Sequence, residues 1–136
     1  MFQHKLVAVM NEKIEMGKLM NALAHMCIGF GAYVGREKLR LTDYQDADGN
    51  SHPHISEIPF MILEANSNKI RTLRQQAIQE GIDFVDFTHT MTEGGFAEQL
   101  KRSKETKEGD LIYSGIVLFG DWDKVTQLTR KFSLLK

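Results

Sequence analysis

The chain has 136 residues, of which 42% are hydrophobic and 26% are charged, and its formal net charge is −1. This length and composition are typical of a folded globular protein and predict one domain over residues 1–136. A charge so close to zero excludes a global attraction to DNA or to an anionic membrane surface, so any contact with RNA has to be local.

The cysteine content and the apolar runs bear on localisation. The single cysteine, Cys27, cannot form a disulfide within the chain, and its apolar neighbours predict that it is buried. The apolar runs are too short for a signal peptide or a membrane-spanning helix. We therefore expect a cytoplasmic protein.

The first elements are predicted to be a strand, a helix and a hairpin. Residues 5–11 (KLVAVMN) form a short apolar run typical of a buried strand, and residues 17–35 follow with helical spacing. Residues 46–54 (DADGNSHPH) are rich in turn-forming side chains and separate two extended segments. This pattern predicts a hairpin or an extended loop with Asp48-Gly49 at its tip.

The segment from Phe60 to Phe87 is predicted to form a strand–helix–strand unit. Asn66 or Ser67 can cap the helix, and Gly81 suits its C-terminal end. Helical spacing predicts a buried face made of Ile70, Leu73, Ala77 and Ile78. Such a unit favours parallel pairing through a right-handed crossover, which indicates an α/β fold.

The last part of the chain is predicted to contain a polar excursion, a strand and a helix. Residues 90–110 are polar and broken by glycines, with one solvated helix from Phe96 to Lys104, and we expect them at a sheet edge. Residues 111–120 form a strand that Gly115 interrupts. The final helix is predicted from its charged ends and its buried stripe, namely Asp121, Asp123, Arg130 and Lys131, and Val125, Leu128 and Phe132. About four main strands with helices on both faces account for the chain.

Lys18, Asn21 and His25 form the first candidate site. Their spacing of three and four residues places them on one stripe of the first helix. Gly17 lies at the helix start, where free backbone N–H groups favour an anion and Lys18 adds a full charge. A structural alternative is that Lys18 extends into solvent and His25 bonds a backbone carbonyl.

A second candidate lies in the turn segment. His52 and His54 would face one side of an extended strand and could bind a metal ion beside Asp46 and Asp48 if a further ligand came from elsewhere. Turns recruit these residue types for backbone reasons, so we favour the turn and expect no metal site.

The third candidate follows the strand that ends near Phe87. Asp86, Thr88 and His89 stand where a strand of an open α/β sheet ends, which is the usual place for ligands. No serine or cysteine stands in a nucleophile arrangement, and we expect no cofactor.

Two family patterns resemble this sequence. KLVAVMN followed by MGKLMNALAH is similar to the opening of type II peptidyl-tRNA hydrolases, with Gly17, Lys18 and His25 on the glycine, lysine and histidine of their motif. Ala22 stands at the motif's glutamine. A closer resemblance is to a bacterial domain-of-unknown-function family numbered two thousand, carried by Asn21 and by the segments DADGNSHPHI, VDFTHTM, YSGIVLFGDWDKVTQLT and FSLLK.

The resemblance implies a three-layer α/β/α fold like that of type II peptidyl-tRNA hydrolases. Its sheet would be mixed and mainly parallel, with about four main strands and a small hairpin, and the protein would form a homodimer. A cleft at the start of the first helix would bind a small anionic ligand, a nucleotide or an RNA end. Gly17, Asn21, His25 and Thr88 would contact that ligand.

The alternative function is hydrolysis of an ester or amide, such as peptidyl-tRNA or an aminoacyl ester. Lys18 would stabilise the oxyanion, and His89 or Asp86 would orient the attacking water. His89 aligns with an aspartate of the hydrolase motif, or Asp86 does if the loop is shifted.

Overall fold

The computed structural model describes residues Phe2–Lys136, which fold into a five-stranded main sheet, a two-stranded sheet and helices. The strands are β1 (His4–Asn11), β2 (Leu41–Gln45), β3 (Ser51–Ser56), β4 (Phe60–Ala65), β5 (Asp83–Thr88), β6 (Tyr113–Asp121) and β7 (Ser133–Leu134). The helices are α1 (Met16–Val34), α2 (Ser67–Glu80), α3 (Phe96–Glu105) and α4 (Trp122–Thr129), with 3₁₀ turns at His89–Met91 and Glu108–Asp110. None of these helices is long and apolar enough to cross a bilayer.

The main sheet is mixed, with the strand order β5-β6-β1-β4-β7. Within the described sheet β1 and β4 pair in parallel, whereas β1–β6, β5–β6 and β4–β7 pair antiparallel. The prediction of a mainly parallel sheet is therefore wrong. β4 and β5 do run in the same direction, but β1 and β6 lie between them, so the strands flanking α2 are not neighbours. β7 has two residues, too few for a strand pattern to be visible in the sequence.

Side-chain alternation along β1 divides the core into two layers. Val7 and Val9 pack with α2 and α4 on one face. Leu6, Ala8 and Met10 pack with α1 on the other face, because successive side chains of a strand point to opposite sides. Helices therefore cover both faces of the main sheet.

Helix α2 begins and ends where its capping residues predict. The Asn66 side chain accepts a hydrogen bond from the Lys69 N–H at 2.9 Å, and Gly81 adopts the left-handed conformation at φ 67°. Ile70, Leu73 and Ala77 are buried as expected, but Ile78 is exposed. The assignment of Ile78 to the core is wrong because it lies about 100° around the helix from Ala77.

The last strand and helix differ from expectation in two details. β6 is continuous through Gly115, where an added Cβ would lie 2.6 Å from the Met10 sulfur, so this glycine marks close packing and not an interruption. Asp121 caps α4 by accepting the Lys124 N–H. The helix ends at Thr129, which leaves Lys131 and Phe132 beyond its C-terminus.

The predicted hairpin is present as a separate sheet of β2 and β3. Gly49 has φ 83° in the turn, consistent with a tip at Asp48-Gly49. The pairing register shifts near His54, which has φ 67°. The side-chain alternation that would align His52 with His54 is interrupted there.

Candidate functional site

The first candidate stripe lies on the flank of α1. Lys18, Asn21 and His25 are all exposed, and so is Gly17 at the helix start. Among residues 2–136 no hydrogen bond or ion pair engages the three polar side chains. Glu15, at the N-cap position, provides no side-chain cap, so among the described residues no side chain accepts a hydrogen bond from the backbone N–H groups of the first turn. The stripe is available to a ligand.

A groove of about 460 Å³ adjoins this stripe. Asn21 and His25 form one wall, and the first 3₁₀ turn and α3 form the other. Its apolar lining residues are Phe87, Met91, Phe96 and Leu100, and its other polar lining residues are Thr92, Gln99 and Ser103. The His25 ring stacks on Phe87, with centroids 6.1 Å apart. The groove thus combines a polar wall with an apolar floor.

Helix α3 presents apolar side chains that the fold does not bury. Phe96 is 75% exposed and Leu100 52% exposed, and none of the residues of α3 is buried. Polar contacts hold the helix in place: Arg102 Nη1 donates to the Thr90 carbonyl, and Ser103 Oγ donates to Thr90 Oγ1 at 2.8 Å. The wall is therefore fixed without entering the core.

Thr88 lies behind the groove and does not line it. The residue is buried, and its hydroxyl bonds that of Thr90 at 2.8 Å. This contact supports the 3₁₀ turn and, through Ser103, the position of α3. The structure gives Thr88 a positioning role where the sequence predicts ligand contact.

The structure does not bring Asp86 to the stripe. Asp86 Oδ2 accepts from Arg74 Nε at 2.8 Å, on the sheet face covered by α2. The Arg74 guanidinium also lies over the Phe84 ring, which shares that face. Phe87 belongs to the core on the α1 side. The sheet separates Asp86 from Lys18, and the period of two along IDFVDF was the signal for this separation.

His89 ties the end of β5 to the segment before β6. The His89 ring Nδ1 accepts a hydrogen bond from the Ile112 backbone N–H at 3.0 Å, and the His89 backbone N–H donates to the Ile112 carbonyl at 2.9 Å. One ring nitrogen is thereby committed to the backbone. This use is structural, and the groove is lined without His89.

In the hairpin turn, the polar side chains bond to one another and to the backbone of the turn. His52 Nε2 lies 2.9 Å from Asp46 Oδ2, and this bond together with the Asn50 N–H lowers the pKa of Asp46. The backbone N–H groups of Asp48 and Asn50 also bond Asp46 Oδ1. Within the described residues no group of three histidine, cysteine or acidic side chains is arranged to hold a metal ion.

Cys27 lies half-buried in α1, where the sequence predicts a buried residue. This partial burial raises the pKa of its thiol. A raised pKa lowers the thiolate fraction at neutral pH, so this side chain is a poor nucleophile.

Sequence reasoning missed the α3 wall. The sequence predicts a solvated helix over residues 96–104, and α3 is exposed, but nothing in that prediction makes Phe96, Gln99 and Leu100 the lining of a groove. The available signal was the spacing of Phe96 and Leu100 by four residues, which places two large apolar side chains on one helix face.

Two comparisons with known proteins bear on the whole chain. The family described as "Protein of unknown function (DUF2000)" matches residues 4–136. Among solved structures the chain is similar to the protein of unknown function Atu0240 from Agrobacterium tumefaciens strain C58, with a TM-score of 0.84, 18% identity and 98% of each chain covered. At that identity the likeness shows the fold alone. No curated protein matches.

Proposed function

We propose, for a chain that belongs to the DUF2000 family, that the groove beside α1 binds a small ligand with an anionic group and an apolar or planar body. One observation carries this proposal. The unpartnered stripe of Asn21 and His25 faces an apolar wall, Phe96 and Leu100, that the fold leaves exposed. Such an arrangement of apolar surface with a few convergent polar groups is typical of ligand sites.

The Lys18 end of the stripe suits the anionic group. Lys18 lies one turn before Asn21, so it extends the polar wall toward the free N–H groups at the helix start. A positive side chain and a positive helix end both favour a carboxylate or phosphate. The groove floor, with His25 stacked on Phe87, suits an aromatic ring or an aliphatic chain. A nucleotide and an RNA end combine both features.

A pair of fluorescent dyes tests the proposal. Anilinonaphthalene sulfonate has an aromatic body and an anion, and phenylnaphthylamine has the same body without the anion. We expect the wild type to bind the sulfonate dye more tightly, and Lys18→Ala to lose about fivefold for that dye alone, equivalent to about 1 kcal/mol. Lys124→Ala, which removes an exposed lysine on α4, is the matched control. Equal affinity of the wild type for both dyes would contradict the proposal.

The hydrolase alternative keeps one group of its predicted catalytic set, Lys18, which could stabilise an oxyanion. His25, predicted as a ligand contact, places an imidazole in the adjoining groove. Asp86 and His89, the predicted water-orienting groups, are bonded to Arg74 and to Ile112. Cleavage of an aminoacyl ester that falls at least about a hundredfold in Lys18→Ala would favour hydrolysis over binding.

We also infer a single-domain homodimer of the type II peptidyl-tRNA hydrolase-like fold, located in the cytoplasm. The strand that leads into Gly17-Lys18 at the start of α1 supports the fold assignment. The outer face of α1 exposes Met20 and Ile28, two turns apart, and so offers apolar surface to a second copy. Light scattering of the wild type and of Ile28→Glu tests the dimer, since a monomeric wild type would contradict it.

A further inference from the structure

The outer edge of β5 is open. β5 is a terminal strand of the main sheet and, among the described strands, pairs with β6 alone. Outside the sheet ladders, the described backbone hydrogen bonds include none from residues 83–88. The opposite edge is formed by β7, which has two residues, whereas β5 offers six. Proteins usually cover or blunt an edge of this length because it templates pairing with another chain.

Two hollows flank this edge on the α1 side. The groove already described lies at the Phe87 end of β5. A second hollow of about 340 Å³ lies at the Asp83 end, between β5 and the later turns of α1 at Gly29 and Tyr33. Asn21, His25, Gly29 and Tyr33 follow one another at four-residue intervals, so both hollows open along one flank of α1.

The hollows match the side-chain spacing of an added strand. Asp83 lines one hollow and Phe87 the other, and the two residues share a face of β5 four positions apart, or about 13 Å along the strand. In an extended segment the side chains on one face recur every second residue, at intervals of about 7 Å. Positions four residues apart, about 13 Å, therefore reach both hollows from the same face.

The charges along the edge define a direction. Asp83 is exposed and lines the hollow at the start of β5. Lys18 extends the α1 stripe beyond Asn21, at the opposite end. A complementary segment carries a cation near Asp83 and an anion near Lys18. β5 ends at Thr88, where the chain enters the first 3₁₀ turn, so the open edge and an added segment both end there, and a chain terminus supplies the anion as its carboxylate.

We propose that β5 and its two hollows bind the C-terminal segment of a polypeptide as an added parallel strand. Its carboxylate lies at Lys18, its last side chain fills the groove, the side chain four positions earlier fills the second hollow, and a basic residue lies beside Asp83. This proposal rests on the proposed function and names its ligand class. Main-chain hydrogen bonds to the edge give affinity, and the hollows give specificity.

Selection from peptide libraries tests the proposal. Random hexapeptides are passed over the immobilised protein, once with a free C-terminal carboxylate and once amidated, and the bound peptides are sequenced. We expect enrichment in the carboxylate library alone, with apolar residues at the last position and four before it and a basic first residue. Lys18→Ala is expected to abolish the preference for the carboxylate, and Lys124→Ala to keep it.

A charge reversal tests the direction of the strand. Asp83→Lys replaces an exposed residue, and we expect it to select acidic first residues in place of basic ones. The proposal would be overturned if the same peptides were enriched with a free and an amidated C-terminus, by both the wild type and Asp83→Lys. A lack of any enrichment would also overturn it. Dye binding distinguishes failure of the peptide proposal from failure of the proposed function. If the sulfonate dye binds through Lys18 while no peptide is enriched, the groove is a small-molecule site and only the peptide proposal fails.

Discussion

The polar residues on the two faces of the main sheet differ in whether they have hydrogen-bond and ion-pair partners. On the α2 face Glu108 Oε2 accepts from Arg71 Nε at 2.9 Å and from the Tyr113 hydroxyl at 2.8 Å. Arg74 and Asp86 form a second ion pair on this face. Every charge in this cluster has a partner of opposite sign, as polar groups near a core require.

The α1 face has the opposite character. Lys18, Asn21 and His25 form no hydrogen bond or ion pair among the described residues, and Phe96 and Leu100 are left exposed. The N-terminus of α1 has no side-chain cap, whereas α2 has Asn66. Solvent-exposed polar groups beside exposed apolar ones add little to stability. Both faces bury a core, so the comparison separates their polar margins: the charges beside α2 are paired and add to the stability of the fold, and the polar groups beside α1 are free to bind.

A pair of leucine truncations gives the largest expected contrast. Leu73 in α2 is 1% exposed and belongs to the core, while Leu100 in α3 is 52% exposed. We expect Leu73→Ala to lower the free energy of unfolding by about 3 kcal/mol and Leu100→Ala by less than about 0.5 kcal/mol. Urea unfolding followed by the fluorescence of Trp122 measures both. A loss of similar size in the two variants would show that α3 is part of the core.

A pair of charge truncations should give a smaller contrast. The Asp86 side chain is 17% exposed, so Arg74→Ala leaves a largely buried carboxylate without its cation. We expect a loss of about 2 kcal/mol, and a smaller loss in Arg74→Ala combined with Asp86→Asn, because the second change removes the uncompensated charge. Lys18→Ala is expected to leave stability unchanged within about 0.5 kcal/mol. The result that would contradict this is equal destabilisation by Arg74→Ala and Lys18→Ala.

Local features of the fold could be predicted from the sequence because they depend on neighbours in the chain. The capping of α2 by Asn66 and its end at Gly81 are of this kind. Strand order does not depend on neighbours in the chain and could not be predicted in this way. β6 pairs with β1 so that Phe119 faces Leu6, more than a hundred residues away, and nothing local marks β6 as the strand between β1 and β5. The parallel-sheet prediction was wrong for this reason.

The candidate site also has a part that could be predicted from local sequence and a part that depends on tertiary contacts. The stripe of Lys18, Asn21 and His25 depends on helical spacing alone, and the structure places all three on one exposed flank. The predicted partners Asp86 and His89 depend on tertiary contacts with Arg74 and Ile112, which the sequence does not display. A polar residue after a strand is therefore a weaker indication of a site than a set of residues fixed by one helix.

The pH dependence of unfolding probes the α2 face through Tyr113. Burial, followed by the hydrogen bond to Glu108, raises the pKa of the Tyr113 hydroxyl from 10.0 to about 12. Below pH 10 the phenol is protonated in both the folded and the unfolded state, and its contribution to stability is complete. As the pH rises toward 12, the unfolded state releases the proton while the folded state retains it, so stability falls.

The variant Tyr113→Phe isolates this effect because it keeps the ring and removes the ionisable group. At pH 8 we expect the variant to be less stable by about 1 kcal/mol, owing to the lost hydrogen bond. Between pH 10 and pH 12 the stability of the wild type should fall by about 1 to 2 kcal/mol relative to that of the variant, which cancels or reverses its advantage. Tyr33 and Tyr44 are present in both proteins, so the comparison isolates Tyr113. Urea unfolding across this range measures the difference, and parallel curves would show that Tyr113 has an ordinary pKa and that the α2 face does not shield it.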